Sequence, residues 1–105
     1  MSNEIFDELS RVLQERKEGD SAKSYVASLY AGGPEKITKK IGEEATEVVI
    51  AGLKGVDKEI VSEISDLWFH CLVLMAHYDI EPDQVLLELS RRFGRSGIEE
   101  KASRK

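Results

Sequence analysis

Cysteine occurs once in the 105 residues, at Cys71. One thiol makes neither an internal disulfide nor a cysteine-built zinc site, so nothing calls for an oxidising compartment. Proline occurs only at Pro34 and Pro82, and aromatic residues are 7% of the chain. Stretches in which β-branched or aromatic residues alternate with polar ones are missing, which argues against strands. Positive charge is in deficit: 15 Lys+Arg against 20 Asp+Glu leave a formal charge of −5. That excludes the simplest nucleic-acid binder, whose affinity comes from a basic surface. It leaves room for an anionic small molecule, because a bound cation reverses the local sign of charge. The longest apolar run, Leu67–Ala76, is interrupted by His70, and it is far shorter than the ~20 residues of a membrane-spanning helix. Met1-Ser2-Asn3-Glu4 carries no positive segment or apolar run, so no secretory leader is expected. The expectation is a soluble cytoplasmic protein with no membrane or nucleic-acid partner.

What is present is enough apolar material for a core, 41% of residues, and a length suited to a single domain, 1–105. The breaks are few: Gly19-Asp20-Ser21, Gly32-Gly33-Pro34, Gly55-Val56-Asp57, Glu81-Pro82-Asp83 and Gly94-Arg95-Ser96-Gly97. Helical patterns lie between them. The first helix is predicted over Asn3–Lys17, with Ile5, Leu9, Val12 and Leu13 as its apolar stripe. A short helix is expected over Ala22–Tyr30, with Tyr25 and Leu29 on one face. Pro34 suits the first position of the next helix, where its missing N–H costs nothing. That helix runs to Lys54 with Gly55 as its stop. Asp57 is placed as the cap of a helix reaching Tyr78, and Pro82 opens the last, through Phe93. Residues 94–105, rich in basic side chains, read as a loosely held tail. The fold class is all-α: a four- to five-helix bundle with short connections.

In the helix that follows Asp57, the predicted core stripe is Ile60, Ile64, Leu67, Cys71, Met75 and Tyr78. Trp68, Phe69, Leu72 and Val73 extend apolar surface round most of the remaining circumference. A helix apolar nearly all round must be covered on several sides, and this chain is short of helices to do it. A homodimer that completes the core is therefore expected.

Two acid pairs interrupt these helices. Glu44 falls inside the stripe Ile37, Ile41, Val48 and Ala51, and Glu47 lies one turn on. Glu63 and Asp66 repeat the three-residue spacing in an otherwise apolar helix. Residues three apart share a helix face, and a turn at Gly55 brings the two pairs level. Like charges gathered together raise one another's pKa unless something neutralises them. Mg²⁺ is the natural cofactor, because it is satisfied by carboxylates, waters and substrate phosphates.

The pattern Glu43-Glu44-x-x-Glu47 followed by Glu63-x-x-Asp66 resembles the signature of the all-α nucleoside triphosphate pyrophosphohydrolase superfamily. The segments Ser24–Gly33, Lys40–Glu47, Ser65–His70 and Gly94–Lys101 resemble the phosphoribosyl-ATP pyrophosphohydrolase family of histidine biosynthesis. The resemblance covers about Ser24 to Lys101. It implies Mg²⁺-dependent hydrolysis of phosphoribosyl-ATP between its α and β phosphates, the second step of that pathway, by a form without a fused cyclohydrolase domain. It implies Glu44, Glu47, Glu63 and Asp66 as metal ligands and Glu43, Glu44 and Glu47 as the catalytic acids. Glu43 is either a ligand of a second ion or the base that orients water. Lys40 is the expected triphosphate contact, with Lys36 and Lys39 behind it. Ser24 and Tyr25 are candidates to line the pocket, and Arg91, Arg92 and Arg95 to meet the 5-phosphate. His70 is read as a hydrogen-bonded core residue. Two other readings stay open: a house-cleaning nucleoside triphosphate pyrophosphohydrolase, and a metal-free helical interaction protein.

Overall fold

The computed structural model describes residues 4–93. Four helices follow one another: α1 (Glu4–Glu15), α2 (Tyr25–Lys54), α3 (Asp57–His77) and α4 (Pro82–Phe93), with a 3-10 turn at Arg16–Glu18 after α1. There is no strand among the described residues. The architecture is the all-α bundle the sequence predicts. Its tail, with Arg95, lies outside the described residues.

Local chemistry accounts for the boundaries. Asp20 accepts the Ala22 N–H on its carboxylate and the Lys23 and Ser24 N–H groups on its carbonyl. Those residues form a turn, so α2 begins at Tyr25 and not at Ala22. Ser24 is its N-cap, with the Oγ accepting the Ala27 N–H at 3.2 Å. The expected break at Gly33-Pro34 appears as a kink within α2. Gly33 has φ 77° and ψ −173°, a region essentially restricted to glycine. It divides α2 into a short arm and a long arm that Pro34 opens. Gly33→Ala is expected to cost about 1–3 kcal/mol, read as a lower urea midpoint with unchanged helix content.

Gly55, left-handed at φ 75°, ends α2 and returns its N–H to the Ala51 carbonyl. The cap position of α3 is Val56 and not Asp57: Val56 makes no side-chain bond, and Asp57 sits in the first turn with Glu59. There the two acids favour the positive end of the helix dipole.

The core is built from Leu13, Val26, Leu29, Ile37, Leu72, Val73 and Ala76, with Phe6, Leu9, Tyr30, Ile41, Phe69, Leu74 and Met75 packed around it. It lies where α1, the short arm, the start of the long arm and the second half of α3 meet. The Tyr30 hydroxyl donates to the Leu13 carbonyl, and Gln14 donates to that of Ala76, tying the elements together. Two predicted stripes are displaced. On α1, Ile5 is exposed and Ser10 is buried. On α3, His70, Leu72, Val73 and Ala76 are the buried residues, whereas Ile60, Ile64, Leu67, Cys71 and Met75 are half-buried and Tyr78 is exposed. With apolar residues on nearly every side of α3, the packing partners decide which face becomes core.

The end of the α2–α3 hairpin extends past this core. Val49, Ile50, Leu53, Val56 and Val61 are exposed there. By length and composition alone α3 is apolar enough to cross a membrane. Its first half carries Asp57, Lys58, Glu59, Glu63 and Asp66, however, and its second half is packed into the bundle.

Candidate active site

The hairpin sets the register of the acids. Glu44 and Asp66 stand equally far from Gly55 along the chain, and so do Glu47 and Glu63. A tight turn at Gly55 followed by an antiparallel return therefore places the two pairs side by side. Carboxylate oxygens of Glu44, Glu63 and Asp66 lie within 4.8 Å of one another. Glu44 and Glu63 are half-buried, the Glu44 side chain 13% exposed, and Asp66 is exposed.

Electrostatics follow from that convergence. The Glu63 carboxyl is held above its ordinary range by partial desolvation, then by the charges of Glu47, Asp66, Glu44 and Glu59. Glu47 is thus within electrostatic reach of Glu63, although it is exposed and outside the close group of three. The donor set is all carboxylate oxygen, drawn from two helices. That suits a hard divalent cation such as Mg²⁺, which completes its shell with water and substrate oxygens.

Lys40 stands beside the cluster. Its Nζ is 3.4 Å from Glu43 and 3.9 Å from Glu44, so the intrahelical ion pair is present. Its ammonium is held above the ordinary lysine range, first by Coulombic interaction with Tyr25 and then by its hydrogen bond to Glu43. Lys36 turns the other way, its Nζ 3.4 Å from the Ser28 carbonyl across the kink. Lys39 is exposed. Ser24 is committed to capping α2. Arg91 and Arg92 both reach Glu88 at 2.7 Å within α4, and together they pull its carboxyl down to about 2. A groove of about 490 Å³ borders Asp66 on the α1 side, with Phe6, Leu9, Trp68 and Phe69 in its wall.

His70 is buried, as expected of a core histidine, but its bonds are directed at site residues. Its Nδ1 lies 2.7 Å from the Asp66 carbonyl, and its Nε2 lies 2.8 Å from the Tyr25 hydroxyl. The first contact is a feature of the i, i+4 spacing. The second joins residues 45 positions apart and depends on the angle of the short arm, which periodicity does not report.

The fold and the cluster together define the class: an all-α protein whose helical hairpin gathers carboxylates from both of its helices, with a lysine at their edge. Within that class the assignment is specific. The chain belongs to the phosphoribosyl-ATP pyrophosphohydrolase family, whose sequence model matches residues 6–93. It is 57% identical to the phosphoribosyl-ATP pyrophosphatase of Methylococcus capsulatus, over 97% of each chain. It is 56% identical to that of Geotalea daltonii, over 99% of this chain and 98% of the relative. A third, from Geobacter metallireducens, is 56% identical over 97% of this chain and 94% of its own.

Proposed function

We propose that the chain hydrolyses phosphoribosyl-ATP between the α and β phosphates, giving phosphoribosyl-AMP and pyrophosphate, with Mg²⁺ held by the carboxylates of the α2–α3 hairpin. The observation that supports this most is the meeting of Glu44, Glu63 and Asp66 within 4.8 Å in a chain of this family. Bound Mg²⁺ supplies charge neutralisation for the triphosphate and for the departing pyrophosphate.

The residues divide the work. Glu44, Glu63 and Asp66 form the binding set, and Glu47 extends it on the Glu63 side. Lys40 meets phosphate oxygens that the carboxylates would otherwise repel. Glu43 shares Lys40 at the rim and is the residue placed to orient the attacking water, since phosphoryl transfer asks mainly for positioning and charge stabilisation. The groove beside Asp66 offers the purine an apolar wall. Lys36 bonds the Ser28 carbonyl and Ser24 caps α2, so this reading gives the first phosphate contact to Lys40 and leaves Lys36 and Ser24 as secondary candidates. The test is pyrophosphate release from phosphoribosyl-ATP against a panel of ordinary and modified nucleoside triphosphates. Preference for phosphoribosyl-ATP supports the assignment, and preference for another triphosphate replaces it with the house-cleaning reading.

The assembly we infer is a homodimer in the cytoplasm. The exposed apolar tip of the hairpin, together with Trp68, 57% exposed, is the surface a second copy covers. Sedimentation equilibrium at micromolar concentration should give twice 11.8 kDa. Leu53, 86% exposed, contributes little to the protomer's own core, so Leu53→Lys should shift the mass toward the protomer without unfolding it. A wild-type protomer mass under these conditions contradicts the dimer.

A further inference from the structure

Among the described residues one hydrogen bond joins the short arm of α2 to α3, and it leads straight to the backbone of the acid cluster. It runs from Tyr25 to His70, across 45 positions of sequence. A carbonyl oxygen only accepts, so the 2.7 Å contact between His70 Nδ1 and the Asp66 carbonyl requires the proton on Nδ1. In the neutral ring Nε2 then carries a lone pair, and the Tyr25 hydroxyl donates to it at 2.8 Å. Both ring nitrogens are therefore engaged, in a residue 6% exposed. Phe69 and Tyr25 also meet the imidazole edge-on, at 5.3 and 5.8 Å between ring centroids.

Asp66 is the member of the cluster in most need of support. It is exposed, and its carboxylate stands within 4.8 Å of those of Glu44 and Glu63. Like charges that close repel one another. Glu44 has the Lys40 ammonium at 3.9 Å. Among the described residues the Asp66 carboxylate has no hydrogen bond or ion pair of its own. Its place is set by its backbone, and His70 is the side chain bonded to that backbone. A histidine that reached only its own helix would move with that helix. This one is tied through Tyr25 to a separate segment, which the kink at Gly33 sets apart from the long arm that carries Glu44.

We propose that His70 and Tyr25 are positioning residues for Asp66: their two hydrogen bonds brace the Asp66 turn of α3 against the short arm of α2, and so hold its carboxylate at cation-binding distance from Glu44 and Glu63. The proposal rests on the metal-binding role given to those acids above. Neither residue touches substrate or the reacting atoms. Their contribution is to arrange the donor set before the ion arrives.

The test reads cation affinity apart from turnover. Mn²⁺, which suits the same oxygen ligands as Mg²⁺, is titrated into the metal-free protein, and the free ion is counted by electron paramagnetic resonance. Tyr25→Phe keeps the ring and removes the hydroxyl. His70→Gln carries its amide near the Nε2 position and gives up the bond to Asp66. His70→Asn carries its amide near the Nδ1 position and gives up the bond to Tyr25. Each breaks the brace at one end and should weaken Mn²⁺ binding about tenfold, the lower end of what the partners of metal ligands contribute. If the brace acts through Asp66, adding Tyr25→Phe to Asp66→Asn should change the affinity by no more than about twofold. Added to Glu47→Gln, outside the close group, it should still cost about tenfold. Because the loss lies in affinity, kcat for phosphoribosyl-ATP should return close to the wild-type value at saturating Mg²⁺. A latch that only holds the fold together lowers the melting temperature and leaves the Mn²⁺ affinity of the folded protein unchanged. Unchanged affinity in Tyr25→Phe and His70→Gln, or a full loss on the Asp66→Asn background, overturns the proposal. A wild type that binds Mn²⁺ with a coupled cycle but leaves phosphoribosyl-ATP intact overturns the substrate assignment and supports the brace. A wild type that hydrolyses phosphoribosyl-ATP in Mg²⁺, with both variants binding Mn²⁺ as it does, supports the substrate assignment and overturns the brace.

Discussion

Glu44→Gln should reduce Mg²⁺-dependent pyrophosphate release by about 10²-fold or more, because it removes one charge from a ligand set without altering its shape. The effect should be larger than at any neighbouring acid. Glu44 is half-buried and, of the three close carboxylates, is the one that also faces Lys40, at 3.9 Å. Glu47→Gln, outside the group of three, should cost about tenfold or less. The measurement is steady-state kinetics on both variants at saturating Mg²⁺, with melting curves to show that each is folded. Equal losses at Glu44 and Glu47 would mean that the four acids act as one set. A Glu44→Gln protein within twofold of wild type would remove the cluster from the chemistry.

Glu63→Gln should raise the melting temperature of the metal-free protein at neutral pH while weakening its response to Mg²⁺. The sign follows from the raised carboxyl of Glu63. Its protonated form is favoured in the folded state. The associated stability is full below the ordinary value of 4.5 and is lost as pH rises through the higher folded value. At neutral pH the wild type therefore bears an unrelieved repulsion among Glu63, Glu47, Asp66 and Glu44, which the amide removes. Mg²⁺ removes it another way. At a concentration a hundredfold above its dissociation constant it should raise the wild-type melting temperature by about 10 °C. The order of stabilities should thus reverse: variant above wild type in chelator, wild type above variant in Mg²⁺. The same order in both buffers would mean that the acids repel without binding the cation.

The parts of this molecule that were legible in its sequence are those set by a few local constraints. Gly33-Pro34, Gly55 and Pro82 each restrict the backbone at one point, and the helix breaks fall at those points. The meeting of Glu44 with Glu63 and Asp66 is equally readable, since it needs only helical spacing and a turn midway between them, while Glu47 stands outside the close group. The core face of α3 was not readable. Apolar residues surround it, so periodicity offers several stripes, and α1 and the short arm of α2 select among them. Ser24 shows a different limit: a serine before an apolar helix start serves as a cap as readily as it lines a pocket, and here the Ala27 N–H takes its Oγ. Lys36 and Lys40 are chemically alike and one turn apart, but the kink gives Lys36 a carbonyl on the short arm, whereas Lys40 meets Glu43 and Glu44 through helical spacing. The Tyr25–His70 bond is of the same kind. It depends on the kink at Gly33, and no local pattern encodes that angle.

If carboxylates from the two helices of the hairpin hold a divalent cation for the hydrolysis of phosphoribosyl-ATP, turnover depends on that ion. The most direct measurement is pyrophosphate release from that substrate by the wild-type protein, in millimolar Mg²⁺ and in excess chelator. Turnover is expected in Mg²⁺, none in chelator, and recovery when Mg²⁺ is restored. Undiminished release in chelator, or no release from the folded protein in Mg²⁺, would contradict it.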